Sequence, residues 1–140
     1  MLNGGIYPSG YLEQYNTPAG TISISEGGNS CGYVQFNGEP FWCGGHCYTL
    51  EATEKGCNYL YLYHYLKFRQ DDIMALRIGS GLPNIQKKDL ARLDVVLPEK
   101  AAQDRLVGMF QSVDRKIETE ELVLLKLLMQ KRFFLSKMFI

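Results

Sequence analysis

The sequence predicts an α+β fold, in which a globular domain with a mixed sheet spans residues 1–97 and a long coiled-coil-type helix spans residues 98–140. Short alternating or apolar segments, separated by glycine and proline turns, fill the first part, as expected for strands. In the second part, apolar residues recur at four-three spacing, as in a helix that pairs with another helix. Pro98 lies between the two patterns and fits a helix start, where a missing N–H costs nothing.

Three strands are predicted in the first part. Residues 20–25 alternate between threonine, isoleucine and serine, a period of two that is typical of a half-buried strand. Residues 33–36 and 47–50 give the other two strands, and glycine-rich loops separate them. Residues 1–19, rich in glycine, proline, tyrosine and asparagine, are predicted to be irregular.

Helical and apolar patterns follow. The spacing of leucines and aromatic residues predicts a helix over residues 57–69. Residues 87–92 are predicted to form a short helical turn, and residues 94–97 a buried strand. Residues 99–139 would form a helix of about 60 Å if unbroken. Ten of its residues follow four-three spacing, and the eight that are apolar are Leu106, Phe110, Val113, Ile117, Leu124, Leu127, Phe134 and Met138.

Charge and composition restrict the function classes. The net charge is zero, which argues against a free-standing nucleic-acid binder. The distribution is uneven, because residues 1–66 have a balance of −4 whereas residues 67–97 have +2, so any DNA contact favours the middle of the chain. No apolar run is long enough to span a membrane, and no secretion signal is visible, so we expect a cytoplasmic protein.

The cysteines and histidines leave one catalytic alternative open. Cys43, His46 and Cys47 form a short cluster that suggests a metal clip or a nucleophile with its base. No second cysteine pair follows at zinc-finger spacing, and no third residue that would orient a base is apparent. We therefore expect no metal and read the cysteines as reduced, small hydrophobic residues.

A glycine loop, defined here as residues 77–85, is the most informative motif. Its glycines let the backbone approach another molecule closely, although they also suit a simple chain reversal. A lysine-bearing segment follows directly. Gly79-Ser80-Gly81 is too short for a nucleotide fingerprint.

The order of these motifs resembles the DNA specificity subunit of type I restriction-modification systems. Agreement extends over nearly the whole chain, and its further pieces are Gly20 to Ser25, Gly32 to Val34, Tyr59 to Leu62 and Pro98 to Gln103. The resemblance implies one target-recognition domain followed by one long conserved helix. Members usually carry two such halves, and this chain matches one half that begins late, so we expect a half-subunit, a trimmed piece or a gene remnant.

The family resemblance also implies partners and cofactors. The chain would read one half of a bipartite target in double-stranded DNA, and modification subunits would dock at the helix and bring in the restriction subunit. S-adenosylmethionine, ATP and Mg would belong to those subunits, so this chain would be non-catalytic and bind no cofactor. The helix is expected to form a homodimer through the four-three residues from Leu106 to Phe134.

Candidate DNA contacts come from the resemblance and from polar loops. The resemblance carries over Arg77, Ser80, Asn84, Lys87 and Lys88 as phosphate or base contacts. Asparagine and serine in loops can pair with base edges, which adds Asn16, Asn29 and Ser30. Two alternatives remain: a helix-mediated assembly protein whose globular part no longer reads DNA, and the cysteine- and histidine-dependent enzyme or metal protein.

Overall fold

The computed structural model describes residues 1–51 and 56–139, which fall in two compact units, Met1–Lys100 and Ala101–Ile140. The first unit contains three strands, a short 3-10 helix and three α-helices, and the second unit is helical. The strands are β1 (Thr21–Ser25), β2 (Val34–Asn37) and β3 (Cys47–Leu50), and the 3-10 helix is Gly28–Ser30. The α-helices are α1 (Tyr59–Phe68), α2 (Gln70–Ala75), α3 (Lys87–Leu90) and α4 (Lys100–Met138).

The sheet has β1 at its centre, in the order β2-β1-β3, and both neighbours run antiparallel to β1. The predicted α+β class and long C-terminal helix are confirmed, but the sheet is antiparallel rather than mixed. The connection from β1 to β2 is short, as suits an antiparallel pair, whereas a parallel pair of neighbours needs a crossover of a dozen or more residues. All five residues of β1 are buried, as suits a central strand.

The core of the first unit lies between the sheet and α1 and α2. Ile22 and Ile24 of β1 pack with Leu66 of α1 and Ile73 of α2, and all four are buried. Cys31 is buried in the same cluster, as expected of a small hydrophobic residue. Asn58 caps α1, because its side chain accepts hydrogen bonds from two backbone N–H groups of the first turn.

The backbone of β2 is tied to the start of α2. The Gln70 side-chain oxygen accepts from the Val34 N–H at 3.0 Å and from the Lys67 ammonium at 2.8 Å. The same ammonium donates to the Val34 carbonyl at 2.9 Å. β2 is an edge strand, so its outer backbone groups have no partner strand. These bonds satisfy the N–H and the carbonyl of Val34 instead.

The predicted buried strand at residues 94–97 is wrong. The segment is not part of any strand, and Val96 and Leu97 are 66% and 42% exposed. Its carbonyls bond to side chains of α1 instead, because the hydroxyl of Tyr61 donates to the Val96 oxygen at 2.9 Å. The hydroxyl of Tyr65 lies 3.4 Å from the Asp94 oxygen.

The long helix α4 contains 39 residues and is therefore about 58 Å long. It begins at Lys100, so Pro98 lies two residues before the helix rather than at its first position. The eight apolar residues at four-three spacing, which we call the seam, are all exposed. No helix among the described residues is long and apolar enough to cross a membrane.

Candidate nucleic-acid interface

The glycine loop is a narrow turn closed by its own backbone. The Ile78 N–H donates to the Asn84 oxygen at 2.9 Å, and the Asn84 N–H donates to the Ile78 oxygen at 3.0 Å. Gly79 has a φ of +96°, a conformation that residues with a side chain rarely adopt, which explains the glycine at this point. The tip, from Gly79 to Leu82, is exposed.

A second set of bonds attaches the glycine loop to the segment that follows β1. The Gly28 N–H donates to the Pro83 oxygen at 2.9 Å, and the Ile85 N–H donates to the Glu26 oxygen at 2.8 Å. The loop therefore lies beside the 3-10 helix that contains Asn29 and Ser30. The fold thus brings together candidates that are some fifty positions apart in the sequence.

The side chains of Tyr48 and Glu26 stabilise the contact between the glycine loop and the segment that follows β1. The Tyr48 hydroxyl lies 2.9 Å from a Glu26 carboxylate oxygen and 3.0 Å from the Ile85 carbonyl oxygen. Burial raises the pKa of the Tyr48 phenol, and its hydrogen bond to Glu26 raises that pKa further. The phenol therefore remains a neutral donor at physiological pH, which is the form that both oxygens require.

Tyr48→Phe is expected to lower the free energy of unfolding by about 1–2 kcal/mol, because the variant removes the shared donor and leaves a carbonyl and a carboxylate short of a partner. Denaturant unfolding of the variant and the wild type measures the difference. Tyr7→Phe, at an exposed tyrosine, is the matched control and should change little. Equal stability of the two variants would contradict a supporting role for Tyr48.

Exposed cations lie on the chain that enters and leaves the glycine loop. Arg77 is the first residue of the loop, whereas Lys87 and Lys88 begin α3, and all three are exposed. Arg92 follows α3 and pairs loosely with Asp89 at 3.8 Å. Exposed lysines and arginines of this kind can reach phosphates without reading bases.

Asn16 lies apart from the other candidates, and its amide is already used. Its nitrogen donates to the Cys43 oxygen at 3.0 Å, and its oxygen accepts from the Cys43 N–H at 2.7 Å. A base contact by Asn16 would have to compete with both bonds, so a role in holding the Cys43 turn is the better reading of the structure.

A concave surface with a volume of about 620 Å³ lies between the N-terminal segment and the loop after β2. Tyrosines and tryptophan line it together with Glu13 and Glu39, and residues 1–51 contain no lysine or arginine. Asn37 lies at the edge of this surface and is already bonded to β1. Its side-chain amide donates to the Thr21 carbonyl and the Ser23 hydroxyl. Phosphates are therefore disfavoured here relative to the glycine loop.

The cysteine cluster offers little for nucleophilic chemistry. Burial, with the neighbouring Cys43 thiol, raises the pKa of the Cys47 thiol to about 12, whereas a nucleophile must be a thiolate. His46 lies 3.7 Å from a Glu26 carboxylate and is mostly exposed. Within residues 1–51 and 56–139, no three potential metal ligands converge.

Sequence reasoning missed Glu26 and Tyr48 as parts of this site. Glu26 precedes two glycines in an ordinary loop pattern, and Tyr48 fits the alternation of a strand. The Tyr48 contact with Ile85 joins residues 37 positions apart, and no local spacing signals it.

Comparison with known proteins shows which family this chain resembles in sequence and fold. A family model described as the type I restriction modification DNA specificity domain matches residues 3–128. A type I specificity subunit of Mycoplasma genitalium is 33% identical over 119 residues, which cover 84% of this chain and 31% of that protein. One from Mycoplasma pneumoniae is 35% identical, with 84% and 32% covered.

A solved structure shows the same fold. The S subunit of the type I restriction-modification system of M. genitalium superimposes with a TM-score of 0.77 at 31% identity, covering 84% of this chain and 32% of that one. The chain thus spans about a third of the length of these relatives. With the family model matched over most of its length, the chain belongs to the type I restriction-modification DNA specificity domain family.

Proposed function

We propose that this chain recognises one half of a bipartite DNA target in a cytoplasmic type I restriction-modification complex. The observation that carries the proposal is the glycine loop, whose bonded base lies beside the 3-10 helix with Asn29 and Ser30 and whose neighbouring cations are exposed. Cations that reach phosphates position a protein on DNA, and polar side chains beside them read base edges. Residues 1–97 act as the target-recognition domain.

The chain itself performs no catalysis in this proposal. The Cys47 thiol supports that interpretation, because its raised pKa of about 12 keeps it protonated, whereas a nucleophile must be a thiolate. Methyl transfer from S-adenosylmethionine and ATP-driven cleavage, with Mg, belong to the modification and restriction subunits. The specificity subunit contributes the choice of DNA sequence.

Residues 98–140 act as a spacer that joins two recognition domains. The exposed seam of α4 supports this role, because apolar residues at four-three spacing pack well only against another helix. A homodimer brings two recognition domains into one complex and packs through Leu106, Phe110, Val113, Ile117, Leu124, Leu127 and Phe134. Apolar residues outside the seam, such as Leu125 and Leu128, leave a surface on which modification subunits dock.

Lys87→Ala is expected to weaken binding to all DNA duplexes about equally and to lower the salt slope by roughly one unit, because one phosphate contact is lost. The Lys87→Ala, Lys88→Ala double variant should lose roughly two units. Binding of the chain, assembled with its modification subunits, is measured at several salt concentrations. The matched control replaces both lysines with arginine, which keeps the charge and should keep the slope.

An unchanged affinity and slope in the double alanine variant would contradict phosphate contacts by the lysines that follow the glycine loop. The runner-up function, assembly through the helix alone, is favoured by the zero net charge and the exposed seam. It is distinguished by the same assay, because an assembly protein recruits modification subunits without any preference among DNA sequences.

A further inference from the structure

Leu82 stands out at the tip of the glycine loop because it is apolar and 81% exposed. Single exposed leucines are common on protein surfaces, so exposure alone says little. The loop that holds Leu82 is unusual, because its backbone is hydrogen-bonded on both sides of the tip. Ile78 pairs with Asn84 across the base, and Pro83 accepts from Gly28 of the neighbouring segment.

The neighbours of Leu82 restrict its backbone and leave space around its side chain. Leu82 precedes Pro83, which disfavours a helical backbone at Leu82. On its other side, Gly81 has no side chain, and apart from its chain neighbours no atom lies within 4 Å of where a Cβ would be. The loop thus displays one apolar side chain that is open to contact with another molecule.

The surroundings of Leu82 indicate what it contacts. Ser80, two positions earlier and also exposed, offers a hydroxyl that can donate or accept. Arg77 begins the loop and Lys87 follows it in the sequence, and both are exposed. In the major groove, an A·T pair presents hydrogen-bonding groups and an apolar thymine methyl, and G·C presents no methyl. The Ser80 hydroxyl and the Leu82 side chain lie on the same loop tip, near exposed cations in the sequence. Together they match a hydrogen-bonding group beside a thymine methyl.

Resting on the proposed DNA recognition, we propose that Leu82 is a specificity-determining residue that reads a thymine by packing against its C5 methyl group in the major groove. The contact is apolar and involves no bond making. It adds a preference for thymine at one position of the half-site and leaves phosphate binding to the neighbouring cations.

The test begins with the assembled complex, containing the chain and its modification subunits, and a library of random DNA duplexes. Wild type is expected to select a half-site with thymine at one or more positions. Leu82→Ala is expected to lose the thymine preference at one position and to keep the other preferences. Leu12→Ala, also at an exposed leucine, is the matched control and should select the wild-type sequence.

A second measurement isolates the methyl group. Deoxyuridine replaces thymine at the position found above, which removes only the C5 methyl. Wild-type affinity should fall about fourfold, which corresponds to burying one CH₂-sized group. The affinity of Leu82→Ala should be the same for both duplexes. Circular dichroism of the variant should match that of the wild type, because an exposed side chain contributes little to folding.

The outcomes separate this inference from the proposed function. A wild-type complex without sequence preference, and with no response to Lys87→Ala, overturns the proposed function. Normal target binding with an equal deoxyuridine effect in wild type and Leu82→Ala overturns the role of Leu82 alone. A uniform loss of affinity for all sequences in Leu82→Ala also overturns it, because that pattern indicates a wedge between base steps or a protein contact.

Discussion

Replacing Leu124 and Leu127 of α4 with aspartate is expected to convert a dimer of this chain into monomers. Both leucines lie in the seam, and they are 57% and 56% exposed in the single chain. Burying a leucine stabilises an interface by about 1.5–3 kcal/mol, and a symmetric dimer contains each residue twice. Aspartates at these positions also bring like charges together in an apolar interface, which adds to the loss.

Light scattering measures the mass of both proteins at micromolar concentrations. The matched control places aspartate at the exposed residues Gln111 and Ser136, which adds the same charge to the face of α4 away from the seam. That control should remain a dimer. A monomer for the unmodified chain at tens of micromolar would contradict pairing through the seam.

Gly32→Ala is expected to lower the free energy of unfolding by roughly 2–5 kcal/mol, from left-handed backbone strain and overpacking together. Gly32 has a φ of +88°, and a Cβ there would lie 2.8 Å from the Cα and 2.9 Å from the nitrogen of Met74. These are backbone atoms of α2, so the helix itself must shift to admit a methyl group. Denaturant unfolding gives the difference from wild type.

Gly20→Ala separates the two contributions to that loss. Gly20 has a φ of +74°, but nothing lies within 4 Å of the position of its Cβ. It should therefore show only the backbone strain, about 1–2 kcal/mol. If Gly32→Ala is no less stable than Gly20→Ala, the close approach of α2 to Gly32 is not present in solution.

Most secondary structure could be predicted from local patterns. The strands predicted at residues 20–25, 33–36 and 47–50 are found as Thr21–Ser25, Val34–Asn37 and Cys47–Leu50. Alternation and turn residues are local signals, and they need no knowledge of the partner strand. The helix predicted over residues 57–69 is likewise found as Tyr59–Phe68.

Residues 94–97 show where local reasoning fails. A short apolar run predicts a strand only if another strand is free to pair with it, and pairing depends on the whole fold. Here the segment pairs with neither edge strand of the sheet, and its carbonyls accept hydrogen bonds from tyrosine hydroxyls of α1. Nothing in residues 94–97 themselves shows where those tyrosines lie.

The candidate interface could be predicted in part. Its charged residues could be predicted, because the glycine loop and the lysines after it are contiguous in sequence. The position of Asn29 and Ser30 beside that loop depends on the bonds from Gly28 to Pro83 and from Ile85 to Glu26, which are long-range. The use of the Asn16 amide by Cys43 has the same origin.

The closed backbone of the glycine loop also bears on how new target preferences arise. The N–H groups of Ile78, Asn84 and Ile85 are all bonded within the domain, whereas Ser80 and Leu82 at the tip project into solvent. Substitutions at those two positions therefore change the displayed chemistry at little cost in folding stability. Natural variation or laboratory selection can exchange these two side chains one at a time, and every intermediate retains the same backbone.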